Sequence, residues 1–256
     1  MPELPEAENI VRTLIPHIGG GEIAGVEFFT ERARLGPIPE LAGRRIVAVR
    51  RYGKRVHFEL NEGHLVVELR MTGLLLWREG TGRHTRVRIR FHDGAVCFDD
   101  IRQFGSIRYR ETAPMDLGPD ALEVSAKQLR ELLAPRRRMI KPLLLDQHFL
   151  RGLGNIYVDE ILFRARINPV ALASRMSRNR VGRLHDAIEL TLTEAIELGG
   201  SSISDYLNAD GVKGRFQLRH QVYGKQGQAC PRCRVAIRRI VVGGRGTHFC
   251  PNCQRR

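Results

Sequence analysis

The sequence predicts an α+β protein of more than one domain, sheet-rich in its first part and helical in its second. Three observations lead there. After about Glu22, short β-branched runs often alternate polar and apolar residues with a period of two. Beyond Glu111–Pro119, apolar residues recur at the helical period. Near the end, four of the five cysteines fall into two Cys-x-x-Cys pairs. A length of 256 residues suffices for two domains with a sizeable core, and 42% hydrophobic content is that of an ordinary globular chain.

Element by element, the chain starts with Pro2, Glu3, Pro5 and Glu6, an acidic and proline-broken beginning unlike a signal peptide. Ile10, Val11, Leu14, Ile15 and Ile18 then follow helical spacing, and Gly19 to Gly21 end the run. Arg44–Arg50, Val56–Leu60, His64–Leu69, Arg86–Phe91 and Ala95–Phe98 read as strands. Turn signals at Asn61-Glu62-Gly63 and Asp93-Gly94 make the sheets antiparallel, as in a sandwich. Glu111–Pro119, with two prolines and Gly118, reads as a linker. Ala126–Leu133, Ile140–Phe149, Asn155–Ala165 and Leu184–Leu198 carry helical spacing. Ser201–Gln217 is polar and glycine-punctuated, a loop long enough to suggest function.

No apolar run approaches the roughly 18 residues of a membrane span; the strongest, Leu74–Trp77 and Leu143–Leu145, suit buried elements. Forty-two basic against 28 acidic residues leave a net charge of +14. That balance points to a polyanionic partner such as nucleic acid. The charge is uneven, since Gln221–Arg256 holds Lys225 and seven arginines but no Asp or Glu.

Cys230-x-x-Cys233, sixteen residues, then Cys250-x-x-Cys253 has the spacing of a four-cysteine zinc ribbon, in which each pair aims two thiolates at one tetrahedral ion. Four protein ligands leave no open position, so the expected single zinc ion is structural. Two disulfides or an iron–sulfur cluster are the weaker readings in a chain without secretory features. Cys97, in an alternating strand, reads as a core residue, and His220 and His248 as packing residues beside a complete ligand shell.

Met1-Pro2-Glu3-Leu4-Pro5-Glu6, Gly152-Leu153-Gly154-Asn155-Ile156-Tyr157, Asn208-Ala209-Asp210-Gly211 and Gly243-Gly244-Arg245-Gly246-Thr247, with the cysteine pairs, occur in an order that resembles the formamidopyrimidine-DNA glycosylase (Fpg/Nei) family over almost the whole chain. The Pro-Glu-Leu-Pro-Glu start is similar to the branch acting on oxidised purines. The resemblance implies an N-terminal β-sandwich domain over 1–114 and a helix-two-turn-helix domain with a lesion-capping loop over 115–220. A zinc ribbon over 221–256 completes the implied set. It also implies base-excision repair of damaged duplex DNA, removing formamidopyrimidine and 8-oxoguanine through a Schiff base on the N-terminal proline, then β- and δ-elimination. The expected protein is a cytoplasmic, nucleoid-associated monomer without small-molecule cofactor.

By that resemblance Pro2 is the nucleophile, Glu3 the acid that opens the sugar ring, Glu6 its electrostatic support and Lys54 a contact near the lesion. Asn155 and Arg245 grip the phosphate beside the lesion, Met71, Arg102 and Phe104 enter the duplex, and Arg70 and Lys141 join the DNA-contacting set. Pro2 serves only once Met1 is removed, because an acylated proline nitrogen is a tertiary amide; a free terminal amine, with a pKa of about 8, is a usable nucleophile near neutrality. Without the resemblance, Pro2-to-Glu6 reads as a helix start, Lys54 as a solvated strand end, and Met71 and Phe104 as core. One departure is Glu68 in Glu68-Leu69-Arg70-Met71, where the family pattern has histidine; a carboxylate there repels phosphate, so Glu68 is expected to turn inward with Arg70 taking the contact. The competing readings are the same chemistry on oxidised pyrimidines and a noncatalytic zinc-ribbon DNA-binding protein.

Overall fold

The computed structural model describes residues 2–203 and 205–255, and these form two compact units, the first built from the chain up to Met115 together with Ala195–Gln217, the second from Asp116–Glu194 with the chain after Leu218.

The first unit opens with helix α1 (Leu4–Ile18), whose Leu4, Ala7, Ile10, Val11, Leu14 and Ile18 are buried on one stripe. Eight strands follow: β1 (Gly25–Phe28), β2 (Ile46–Tyr52), β3 (Arg55–Leu60), β4 (His64–Glu68), β5 (Gly73–Arg78), β6 (Thr85–Phe91), β7 (Gly94–Asp100) and β8 (Ser106–Arg110). They make two antiparallel four-stranded sheets, ordered β1-β6-β7-β5 and β2-β3-β4-β8. One core joins them, with α1 contributing Ile10, Leu14 and Ile18, one sheet Val56, Phe58 and Val67, and the other Leu75, Val87 and Phe98. Burying each such side chain contributes roughly 1.5–3 kcal/mol. The tight turns are where the sequence marks them: Leu60 N–H donates to the Gly63 carbonyl at 3.0 Å, and the β6–β7 hairpin closes on Phe91 opposite Gly94. Strands β1, β5 and β8 are not among those read from the sequence; β8, Ser-Ile-Arg-Tyr-Arg, buries only Ile107 and takes its place by pairing with β4.

The second unit is helical, with α2 (Ala126–Leu133), α3 (Ile140–Leu144), α4 (Asn155–Arg164) and α5 (Arg178–Glu197), then the hairpin of β9 (Arg238–Val242) and β10 (Arg245–Phe249). Two differences from the helical spacing have local causes. α3 stops at Leu144 instead of continuing to Phe149, because the Asp146 carboxylate accepts the His148 N–H at 3.1 Å while its carbonyl accepts Phe149 and Leu150, a turn that competes with the helix. α5 starts six residues before Leu184, over a polar and largely exposed stretch in which Val181 is the buried residue.

Among the described residues no helix is long and apolar enough to cross a membrane.

Candidate active site and nucleic-acid interface

In the first unit the N-terminal turn of α1 is buried with its charges. Glu3 is the N-cap, and its N–H donates to Glu6 Oε2 at 2.8 Å in a capping box, with Pro5 in the first turn where its missing N–H costs nothing. Glu3 and Glu6 are 2% and 1% exposed, and Pro2 is buried beside them. The second Glu6 oxygen accepts the Ser201 N–H at 2.7 Å, and the Tyr206 hydroxyl donates to the Glu6 carbonyl at 3.2 Å. Burial, with the Glu6 carboxylate nearby, holds the Tyr206 phenol neutral far above its usual range. A narrow pocket of about 10 Å³ lies against Pro2, lined by Met71 to Leu74, Asp205 and Tyr206.

Lys54 stands at the tip of the β2–β3 hairpin after Gly53, whose φ of +64° suits a residue without Cβ. Ion pairs flank the tip: Arg51 to Glu8 at 3.0 Å and Arg55 to Glu68 at 3.0 Å. Glu68 also pairs with Arg70, so two guanidiniums neutralise the carboxylate that replaces histidine, and Arg70 is engaged by it. Both loops bearing the duplex-entering candidates contain non-glycine residues in left-handed backbone, Arg70 at φ +52° and Gln103 at +54°. Such geometry persists where its surroundings fix it. Asp100 does so here. Fully buried, it accepts the Thr72 hydroxyl, the Arg102 N–H at 3.2 Å and the Gly105 N–H at 2.8 Å. Gly73 is required, because a Cβ there would collide with the Leu69 carbonyl. Met71 and Phe104 are therefore presented to solvent, 41% and 55% exposed, and not packed in the core as their periodicity suggests; Arg102 lies 4.6 Å over the Phe104 ring.

In the second unit, Arg245 begins β10 just after a Gly243-Gly244 turn with φ of +57° and +74°. A Cβ on Gly243 would press on Pro142, so the turn sits directly on α3. The next carbonyl, Gly246, accepts Asn155 Nδ2 and Lys141 Nζ, both at 3.0 Å. Asn155, the first residue of α4, keeps its buried Oδ1 without a hydrogen-bond donor among the described residues. Lys141, placed by sequence with the DNA contacts, is instead wholly buried and salt-bridged to Asp159 at 2.6 Å. It pins the strand that carries Arg245, which remains exposed.

The sulfurs of Cys230, Cys233, Cys250 and Cys253 all lie within 4.8 Å of one another, with Cys233–Cys250 at 3.4 Å and Cys230–Cys253 at 3.9 Å. Four sulfurs about 2.3 Å from a tetrahedral ion stand about 3.8 Å apart, so the set fits one zinc ion. His220 and His248 pack on the edges of Tyr223 and supply no ligand; burial lowers the His220 pKa to about 4, with Lys225 adding to it.

Sequence reasoning missed Asp100, Ser201, Tyr206, Asp159 and Glu160. Glu160 is 4% exposed and accepts the N–H groups of Gln221, Val222 and Tyr223 at 2.8–3.0 Å, joining α4 to the strand-bearing module; burial raises its pKa against those hydrogen bonds. The signal was two adjacent acids inside the otherwise apolar Tyr157–Phe163 run.

Three family profiles match the chain: the formamidopyrimidine-DNA glycosylase N-terminal domain over residues 1–107, the formamidopyrimidine-DNA glycosylase H2TH domain over 117–206, and the zinc finger found in FPG and IleRS over 227–256. The chain belongs to the formamidopyrimidine-DNA glycosylase family. The formamidopyrimidine-DNA glycosylase of Solibacter usitatus is 48% identical, with all of both chains covered, and that of Bacillus subtilis 41%, with 99% of each covered. Among solved structures, a Lactococcus lactis FPG mutant in complex with Fapy-dG-containing DNA superposes with a TM-score of 0.92 at 37% identity, covering both chains completely. MutM (FPG) of Thermus thermophilus gives 0.91 at 40%, covering 99% and 98%. In this member of the family the sandwich, the helix-two-turn-helix helices and the four-cysteine ribbon are all present, as the fold class and the zinc ion expected from sequence require.

Proposed function

We propose that this glycosylase removes oxidised purines, formamidopyrimidine and 8-oxoguanine, with Pro2 as nucleophile. As a member of its family it is a base-excision-repair DNA glycosylase with abasic-site lyase activity, and damaged DNA is its partner. The observation that carries the residue assignment is the buried Pro2-Glu3-Glu6 turn, of which Pro2 lines a pocket together with Met71.

Once Met1 is removed, the Pro2 nitrogen is a secondary amine. Its lone pair attacks C1′ of the damaged nucleotide, the C1′–base bond breaks, and the base leaves with a proton. Glu3, adjacent and almost fully buried, donates a proton to the ring oxygen as the C1′–O4′ bond opens, leaving an iminium ion on Pro2. Loss of a C2′ proton then expels the 3′ phosphate by β-elimination, and δ-elimination expels the 5′ phosphate. Glu6 holds the turn in place through the Glu3 and Ser201 amides. Lys54 contacts the lesion strand from the hairpin tip. Arg245 and Asn155 hold the flanking phosphate, Asn155 with its amide turned to the Gly246 carbonyl. Met71, Arg102 and Phe104 fill the gap that an extruded nucleotide leaves, offsetting an unstacking cost of a few kcal/mol. Arg70 screens Glu68 from the DNA. Zinc, held by the four thiolates, supplies the cross-link that a hairpin this small needs in order to fold. The enzyme works as a monomer on the nucleoid and needs no small-molecule cofactor.

Incubating mature, zinc-replete protein with 8-oxoguanine duplex and borohydride should trap one covalent adduct that peptide mapping places on Pro2. An adduct elsewhere, or none, overturns the assignment. Rates on a panel of oxidised purines and pyrimidines test the substrate class.

A further inference from the structure

We propose that the second unit carries an additional phosphate-binding face, made of residues other than Asn155 and Arg245, that takes the backbone of undamaged duplex DNA. Two grooves follow one another between α2 and the stretch Leu172–Asp186. The first, about 650 Å³, presents Arg137 and Arg175 beside Ser174. The second, about 550 Å³, presents Lys127, Arg130, Arg178 and Arg183, with Asp186 as its one carboxylate. All six cations are exposed.

Among the described residues none of these cations has a carboxylate within ion-pair distance. Some exposed arginines elsewhere do, as in Arg50–Glu59, Arg90–Glu27 and Arg138–Asp146, whereas here six cations without one line two adjoining grooves. The backbone holds the unpaired cations in place. Ala173 N–H donates to the Arg138 carbonyl at 3.0 Å and Ser174 N–H to the Arg136 carbonyl at 2.9 Å, around a bridge between Met139 and Leu172. On the other side α2, capped by Ser125, buries Leu129 and Leu133 and turns Lys127 and Arg130 outward. Like charges fixed along one concave surface raise its potential and repel one another, and a polyanion relieves the repulsion.

The lining decides which polyanion. Surfaces that dock proteins are enriched in aromatic residues, methionine and arginine and depleted in lysine and serine; of that set the grooves share only arginine, with no aromatic residue or methionine and with Lys127 and Ser174 present. Lysine, arginine, serine and asparagine side chains are what contacts the phosphate–sugar backbone, and Ser174 and Asn179 complete that set. A surface of this kind carries no sequence or lesion information; it holds the enzyme on DNA between lesions.

The test uses full-length zinc-loaded protein, in which Arg137→Glu/Arg175→Glu and Lys127→Glu/Arg178→Glu alter exposed side chains only, with circular dichroism and zinc content as fold controls. With a long undamaged duplex as probe, each pair should lower affinity at least about tenfold at low salt and flatten the plot of log K against log salt by about 0.9 for each phosphate no longer neutralised. Single-turnover excision from a short lesion duplex should be unchanged. Although the proposal rests on the enzyme's acting on DNA, its readout is independent of Pro2 chemistry, so absence of the borohydride adduct leaves it standing. An unchanged salt slope overturns it, including the case in which the grooves serve an acidic protein. Excision on the short duplex falling in the same proportion also overturns it, because the grooves would then belong to the lesion-flanking contact.

Discussion

Replacing Lys141 with methionine retains the unbranched stem and removes the ammonium. The Lys141 and Asp159 side chains have no exposed surface and meet at 2.6 Å, so the substitution strands a carboxylate in the interior. Removing one partner of such a pair costs about 3–5 kcal/mol. Asp159 still accepts the His248 N–H at 2.8 Å, which places the expected loss near the lower bound, about 3 kcal/mol. With a urea dependence of about 1–3 kcal/mol per molar, the unfolding midpoint drops by at least about 1 M. Lys141→Met/Asp159→Leu removes both charges and should recover most of the loss, since an apolar replacement of a buried pair is often neutral. Among the described residues the Gly246 carbonyl would keep Asn155 as its one side-chain donor, beside the pairing of β10 with β9, so the strand bearing Arg245 loosens and DNA binding weakens beyond what the stability change explains. A single-variant loss below about 1 kcal/mol, or a double variant as unstable as the sum of the singles, refutes the reasoning.

Arg245→Ala is expected to weaken DNA binding and flatten its salt dependence by about 0.9, the value of one phosphate contact; an unchanged slope in a fluorescence titration removes it from that role. Asp100→Ala leaves the Thr72 hydroxyl and the Gly105 N–H without this acceptor, at about 1–3 kcal/mol each before relaxation, while the Arg102 N–H keeps Thr72 Oγ1 at 3.2 Å, and it releases the loops of Met71 and Phe104; the excision rate should fall more than the affinity for undamaged DNA, as single-turnover assays would show. The buried neutral His220, its pKa lowered from 6.5 to about 4, binds fewer protons folded than unfolded between those values. Its contribution is therefore present above pH 6.5 and lost as pH falls towards 4, so melting temperature should decline across that window less in His220→Asn than in the parent. Zinc removal by a chelator should unfold the β9–β10 hairpin and abolish DNA binding while α1 and the sheets keep their circular-dichroism signal, because the ribbon's own core is small: Val222, Ile237 and two of the cysteines, closed by Phe163.

What was legible in the sequence rests on short-range physics. The stripe of α1, the hairpin turns at Asn61–Gly63 and Asp93–Gly94, and the two cysteine pairs are read at spacings of two to four residues, where periodicity, turn chemistry and ligand geometry act directly. The order of the motifs added the family, and with it the expectation that Pro2, Glu3, Asn155 and Arg245 act in its chemistry and DNA contact. Glu68 was also legible as a problem, and the structure supplies the answer in its two arginine partners.

Tertiary structure alone decided which residues support those groups. No local pattern pairs Ser201 and Tyr206 with Glu6, about two hundred residues away, or Lys141 with Asp159 and Gly246. Nor does one mark Asp100 as the acceptor that orders two loops, or show that Met71 and Phe104 face solvent. A buried charge or a strained loop is stable only if distant donors arrive together, and that arrival is set by the packing of the whole unit, where sequence separation carries no information. The chain by itself therefore determined most of the elements and the four cysteines that fit one metal ion; the fold determined how the residues proposed for the chemistry are held.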